Sequence, residues 1–145
     1  MTKITTQPND AAKPLSGAGL RGQSAGETAL CTVGKSGSGL TYCGYDIADL
    51  AKNSTFEEVA YLLFNGELPN QTQLTTYLKE LQALRDLPEA LKSVLKLIPK
   101  NAHPMDVMRT GTSMLGNLEP EGDFSNQLNS INRMIATMPS IVTYW

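Results

Sequence analysis

Apolar residues recur at helical spacing along most of the chain after residue 46, and before that they alternate briefly at strand spacing. From 103 to 117, NAHPMDVMRTGTSMLGN without its first two residues, Met105, Met108, Thr112 and Leu115 step by three and four and predict one buried stripe of a helix. Pro104 suits the first helical position, since its missing N–H would be unpaired there anyway. Asp106 adds negative charge where the helix dipole favours it. Asn117, after Gly116, is the expected stop.

Other segments follow the same logic. Asp46 is placed to cap a short helix over 47–52, and Ser54 with Glu57, or Thr55 with Glu58, offers a capping box for the next. That helix should run to about Asn65, with Phe56, Val59, Ala60, Leu63 and Phe64 inward, Gly66 at its end and Pro69 barring continuation. Asn70 can cap a third, in which Leu74, Tyr77, Leu78, Leu81 and Leu84 share a face. Pro88 opens a fourth with Leu91, Val94, Leu95 and Ile98, and Pro99 closes it. Last come Leu128, Ile131, Ile135, Met138, Val142 and Trp145, an apolar stripe interrupted by Pro139, which predicts a kink or a split near 137–138. Residues 28–33 and 40–45 are rich in strand formers and predict a hairpin joined by the glycine-rich stretch 34–39. Residues 1–15 lack periodicity and read as a flexible N-terminal arm. The expected fold is all-α with one small β-hairpin near its N-terminus, in a single domain over 16–145, hairpin about 28–45 and helices from about 46.

Composition narrows the class. With 145 residues, 41% hydrophobic and 18% charged, the chain can bury a core. A formal charge of −2 without any basic stripe gives no footing for nucleic acid. No apolar run is long enough for a transmembrane helix, and MTKITTQPNDAAKP has no apolar segment of a secretory signal. A cytoplasmic protein is expected, so the glycosylation-like triplets at 53–55 and 70–72 carry no meaning. The chain stops at Trp145 in mid-stripe, which suggests a cut end, a parent protein that continues, and an uncovered apolar patch that would make the piece fold poorly alone.

Several short motifs promise chemistry and fail on context. Gly17, Gly19 and Gly22 have dinucleotide-loop spacing, but no strand precedes and no helix follows. Gly34, Lys35 and Ser36 resemble the end of a phosphate loop, yet Ala29 stands where that loop needs glycine. Cys31 and Cys43 fall on the two hairpin arms, where one register would set them opposite; two free thiols are expected in a reducing compartment. His103, the only histidine, is expected to cap the helix that Pro104 opens. Asp106 and Arg109 should form a helical i,i+3 pair rather than a ligand clamp. Met105, Met108, Met134 and Met138 read as core fillers, and Glu57 with Glu58 as a cap and a solvated face.

Four stretches carry a family likeness. GLRGQSAGET (19–28), ALCTVGKSG (29–37), FEEVAYLLFNGELP (56–69) and AHPMDVMRTG (102–111), in this order and spacing, resemble the N-terminal part of the citrate synthase family, and most closely its 2-methylcitrate branch. One departure stands in YCGYDI (42–47), where Cys43 replaces the family's usual arginine and so removes a charge and up to five donors. The resemblance implies a helical, two-domain homodimer that condenses an acyl-CoA thioester with oxaloacetate, propionyl-CoA in the methylcitrate branch and acetyl-CoA in citrate synthase proper. Neither substrate would be a resident cofactor. It also implies two catalytic histidines and an aspartate encoded later than anything matched here. With one histidine, no residue of this chain is assigned a catalytic, cofactor-binding or metal role, and the 145 residues alone should be inactive. The other open reading is a non-catalytic helical module that binds a partner.

Overall fold

A computed structural model describes residues 26–34 and 39–145. The expected arm at 1–15, the glycines at 17, 19 and 22, and most of the first family-like stretch lie outside the described residues. The chain divides into two compact units, one ending at Asn70 and one beginning at Gln71.

In the first unit the predicted hairpin is present but does not stop at two strands. Strand β1 (Cys31–Thr32) pairs antiparallel with β2 (Thr41–Tyr42), and β2 pairs antiparallel with β3 (Tyr45–Asp46). Cys43 and Gly44 make the second turn with φ of 48° and 84°. Two positive φ values suit a two-residue turn that matches the strand twist, and glycine accepts one without penalty. The register sets Cys31 across from Tyr42, and the Cys43 N–H donates to the Leu30 carbonyl at 2.8 Å. The cysteines are therefore not opposite each other, since in this register Cys31 faces Tyr42 and Cys43 bonds to Leu30; both are free thiols.

Capping signals then act where the sequence places them. The Asp46 carboxylate accepts from the Ala48 N–H at 2.8 Å and starts α1 (Ile47–Asn53). Of the two candidate capping boxes, Thr55 with Glu58 forms, and α2 (Phe56–Asn65) ends on Gly66 at φ 79°. Its buried face differs from the expected one. Leu62 is fully buried with Ala60, whereas Phe56 is 69% exposed. The pattern around Phe56 and Phe64 is apolar on nearly every side, so periodicity alone could not phase it.

The second unit is helical: α3 (Gln71–Ala83), α4 (Glu89–Leu97), α5 (Pro104–Leu118), a short 3₁₀ turn (Phe124–Asn126) and α6 (Gln127–Tyr144). Its core joins Leu87, Leu91, Leu95, Val107, Leu115 and Ile141, with Ile98, Ala102, Met114 and Trp145 packed against it. On α5 the inward stripe is Val107, Gly111 and Leu115, steps of four; Met105 is 62% exposed and Met108 and Thr112 are only half-buried. The expected phase was off because the decisive position is a glycine, which an apolar pattern does not count. A Cβ at Gly111 would sit 2.6 Å from Ile141 Cγ2, so these two helices touch backbone to side chain at a point where only glycine fits. The expected stop, Asn117, lies inside α5, which runs one residue further to Leu118, and Glu119 closes the helix through its N–H on the Leu115 carbonyl.

Of the kink or split expected in α6, the split does not occur: the helix is continuous through Pro139, although Pro139 has no N–H to give to the Ile135 carbonyl. Its buried positions are Ala136, Thr137 and Ile141, rotated from the predicted stripe, and Leu128 is exposed. Trp145 is partly buried: its indole N–H donates to the Ile98 carbonyl at 3.3 Å and its ring packs against the core.

Candidate functional site

A concavity of the second unit opens between α5 and α6. It has a volume of about 560 Å³ and is walled by Thr112, Leu115 and Gly116 of α5, Ser130, Ile131 and Met134 of α6, and the segment 119–121. Arg133 and Glu119 face it, and every arm of the Arg133 guanidinium is engaged. Nε donates to Glu119 Oε2 and Nη2 to Oε1, each at 2.7 Å, a bidentate pair. Nη1 donates to the Asp86 carbonyl at 2.8 Å and to the Leu84 carbonyl. The bidentate pairing with Arg133 holds the Glu119 carboxyl below its usual range, and the same pairing holds the guanidinium above its own. An arginine so saturated is a brace between α6, the end of α5 and the α3–α4 connection.

Among the described residues, none of those singled out in the sequence assembles into acid–base or nucleophilic machinery. His103 is the cap of α5: its Nδ1 accepts from the Met105 N–H at 3.2 Å. Asp106 and Arg109 pair at 3.0 Å on a solvated face. Glu58 completes the α2 cap, and Glu57 is in the same first turn. Cys43 Sγ lies 3.6 Å from the Leu62 carbonyl, a weak thiol hydrogen bond that ties the sheet's second turn to α2. The methionines are less covered than core fillers should be. Met105, Met108 and Met138, with Thr112, line a shallow groove instead. Among the described residues no group of three His, Cys, Asp or Glu side chains converges as a metal ion requires.

Sequence reasoning missed Leu62, Gly111, the Glu119–Arg133 pair, and the Tyr77 hydroxyl that donates to Asn132 Oδ1 at 3.2 Å. Glu119 and Arg133 are fourteen residues apart on different elements, and Tyr77 and Asn132 fifty-five, so no local spacing announces either.

Among the described residues, six helices and a small three-stranded sheet make a mainly helical fold with a braced cleft. The family model described as "Citrate synthase, C-terminal domain" matches residues 19–145. The chain belongs to the citrate synthase family. It is 66% identical over 134 residues to a 2-methylcitrate synthase of Shewanella oneidensis, covering 92% of this chain and 36% of that protein. Among solved structures, citrate synthase from Thermotoga maritima superimposes with a TM-score of 0.74 at 29% identity, covering 88% of this chain and 34% of that one. A citrate synthase from Thermoplasma acidophilum, solved as a ternary complex with carboxymethyl coenzyme A and oxaloacetate, has a TM-score of 0.75, covering 84% and 33%. At 21% identity this last likeness speaks for the fold alone. The chain spans about a third of the length of the relatives it matches.

Proposed function

We propose that the chain is the N-terminal portion of a 2-methylcitrate synthase, which condenses propionyl-CoA with oxaloacetate and water to 2-methylcitrate and CoA in propionate breakdown. The single observation that carries this reading is the 66% identity to a 2-methylcitrate synthase across nearly the whole chain. The matching family model's description speaks of a C-terminal domain. The N-terminal placement rests instead on the family resemblance, in which the catalytic histidines and aspartate follow the matched motifs, and on a chain that holds only His103.

On this reading residues 16–145 are scaffold for the large helical domain and contribute to the contact of a cytoplasmic homodimer. They bind no resident cofactor. Enolisation of the thioester needs a carboxylate base and two imidazoles positioned together, and His103 is occupied with the α5 N-terminus. The 145-residue chain alone is therefore inactive.

The test compares the purified 145-residue chain with the product of its coding sequence extended to family length. Oxaloacetate-dependent release of CoA from propionyl-CoA is expected from the extended protein only. Release by the short chain refutes the scaffold reading, and a preference of the long protein for acetyl-CoA would make it a citrate synthase instead.

A further inference from the structure

We propose that α6 is hinged at Pro139, and that the Glu119–Arg133 pair is the clasp that holds its N-terminal arm against α5. Two fixed points join these helices. At one, Ile141 fills the space over Gly111 so closely that no Cβ fits. At the other, Glu119 grips Arg133 through two hydrogen bonds of 2.7 Å. Glu119 lies eight residues after Gly111 and Arg133 eight before Ile141, so the helices run antiparallel and the two points are about 12 Å apart along them.

Pro139 lies between these points on α6. It removes a donor from the helical ladder at the Ile135 carbonyl. In the preceding turn the buried Thr137 hydroxyl donates back to the Arg133 carbonyl at 2.7 Å, a side-chain bond of the kind that bends helices. Two interruptions within three residues make this the softest place in the helix.

The two arms on either side are held differently. The C-terminal arm is packed: Ile141 is buried and Trp145 is bonded to the Ile98 carbonyl. The N-terminal arm buries Ala136 and Thr137 next to the proline, but ahead of them it is tied by polar groups, Arg133 and the Asn132–Tyr77 hydrogen bond, and has the 560 Å³ cleft along one side. That open volume is room into which an unclasped arm can swing, where a packed interface would resist it.

Hydrogen exchange on the whole 145-residue chain tests the device. Arg133→Gln should speed exchange of the 128–135 amides about tenfold or more, while those of 91–95 and 141–145 change less than about twofold. A uniform loss of protection across α4, α5 and α6, or none anywhere, would overturn the proposal. Should Arg133→Gln not fold, Glu119→Gln keeps the helix and one acceptor, and it must give the same local pattern. Adding Pro139→Ala to either variant restores the missing ladder donor and should return 128–135 toward wild-type exchange. If protection does not recover, Pro139 is no hinge.

Discussion

The two units of this chain are held together in different ways. Up to Asn70, the described hydrogen bonds mostly join near neighbours, Asp46 with Ala48, Thr55 with Glu58 and the two turns of a three-stranded sheet, with Cys43 and Leu62, nineteen residues apart, as an exception. From Gln71 onward, the structure depends on residues far apart in sequence. Leu87 and Ile141 share a core, and Arg133 bonds to carbonyls at Leu84 and Asp86. A unit built from local caps and short strands can lose a piece and keep its neighbours. In a unit built from a few distant contacts, each contact holds two elements at once.

The sharpest way to break that contrast is in the helical core. Leu91→Ala removes a fully buried side chain and should cost about 2–5 kcal/mol in denaturant unfolding. A loss below about 1 kcal/mol would mean that the core around Leu91 is not what holds the second unit.

Next comes the α5–α6 contact, where two glycines act as each other's control. Gly111→Ala must push Ile141 aside, an overpacking cost of about 1–3 kcal/mol that outweighs the gain in helix propensity. Gly116→Ala, with open space around it, should instead stabilise by up to about 1 kcal/mol. Thermal melts of the pair should move in opposite directions.

The Glu119–Arg133 pair adds a dependence on pH. Because Arg133 lowers the Glu119 pKa on folding, the pair's contribution is fully present above the usual glutamate range. It is lost as pH falls through the lower folded value. Glu119 is 39% exposed, so Glu119→Gln should cost only about 1–2 kcal/mol at neutral pH. Stability measured from neutral to acidic pH should fall less steeply in the variant than in the wild type.

In the first unit Thr55→Ala should remove about 1 kcal/mol, the worth of a helix cap. The smallest effect is expected at the solvated Asp106–Arg109 pair. Asp106→Asn there should shift stability by no more than about 0.5 kcal/mol. If Thr55→Ala proved as damaging as Leu91→Ala, the distinction between locally and distantly held units would fail.

The sequence by itself determined the features whose causes lie within a few residues. Asp46, the Thr55–Glu58 box, Gly66 and the His103–Pro104 start are each legible, because a cap is a bond between a side chain and a backbone one turn away. The family was legible too, since its motifs are contiguous strings. The inward faces of α3 and α4, with Tyr77 and Leu81 and with Leu91 and Leu95, follow the apolar spacing, but on α2, α5 and α6 only the tertiary structure decided which face turns inward. On α5 it chose Val107, Gly111 and Leu115 over a stripe of methionines, because a glycine lets Ile141 come close. It likewise kept α6 whole through Pro139 and paired Glu119 with Arg133. Those outcomes depend on what another helix presents across the interface, and spacing along a single helix carries no record of that partner.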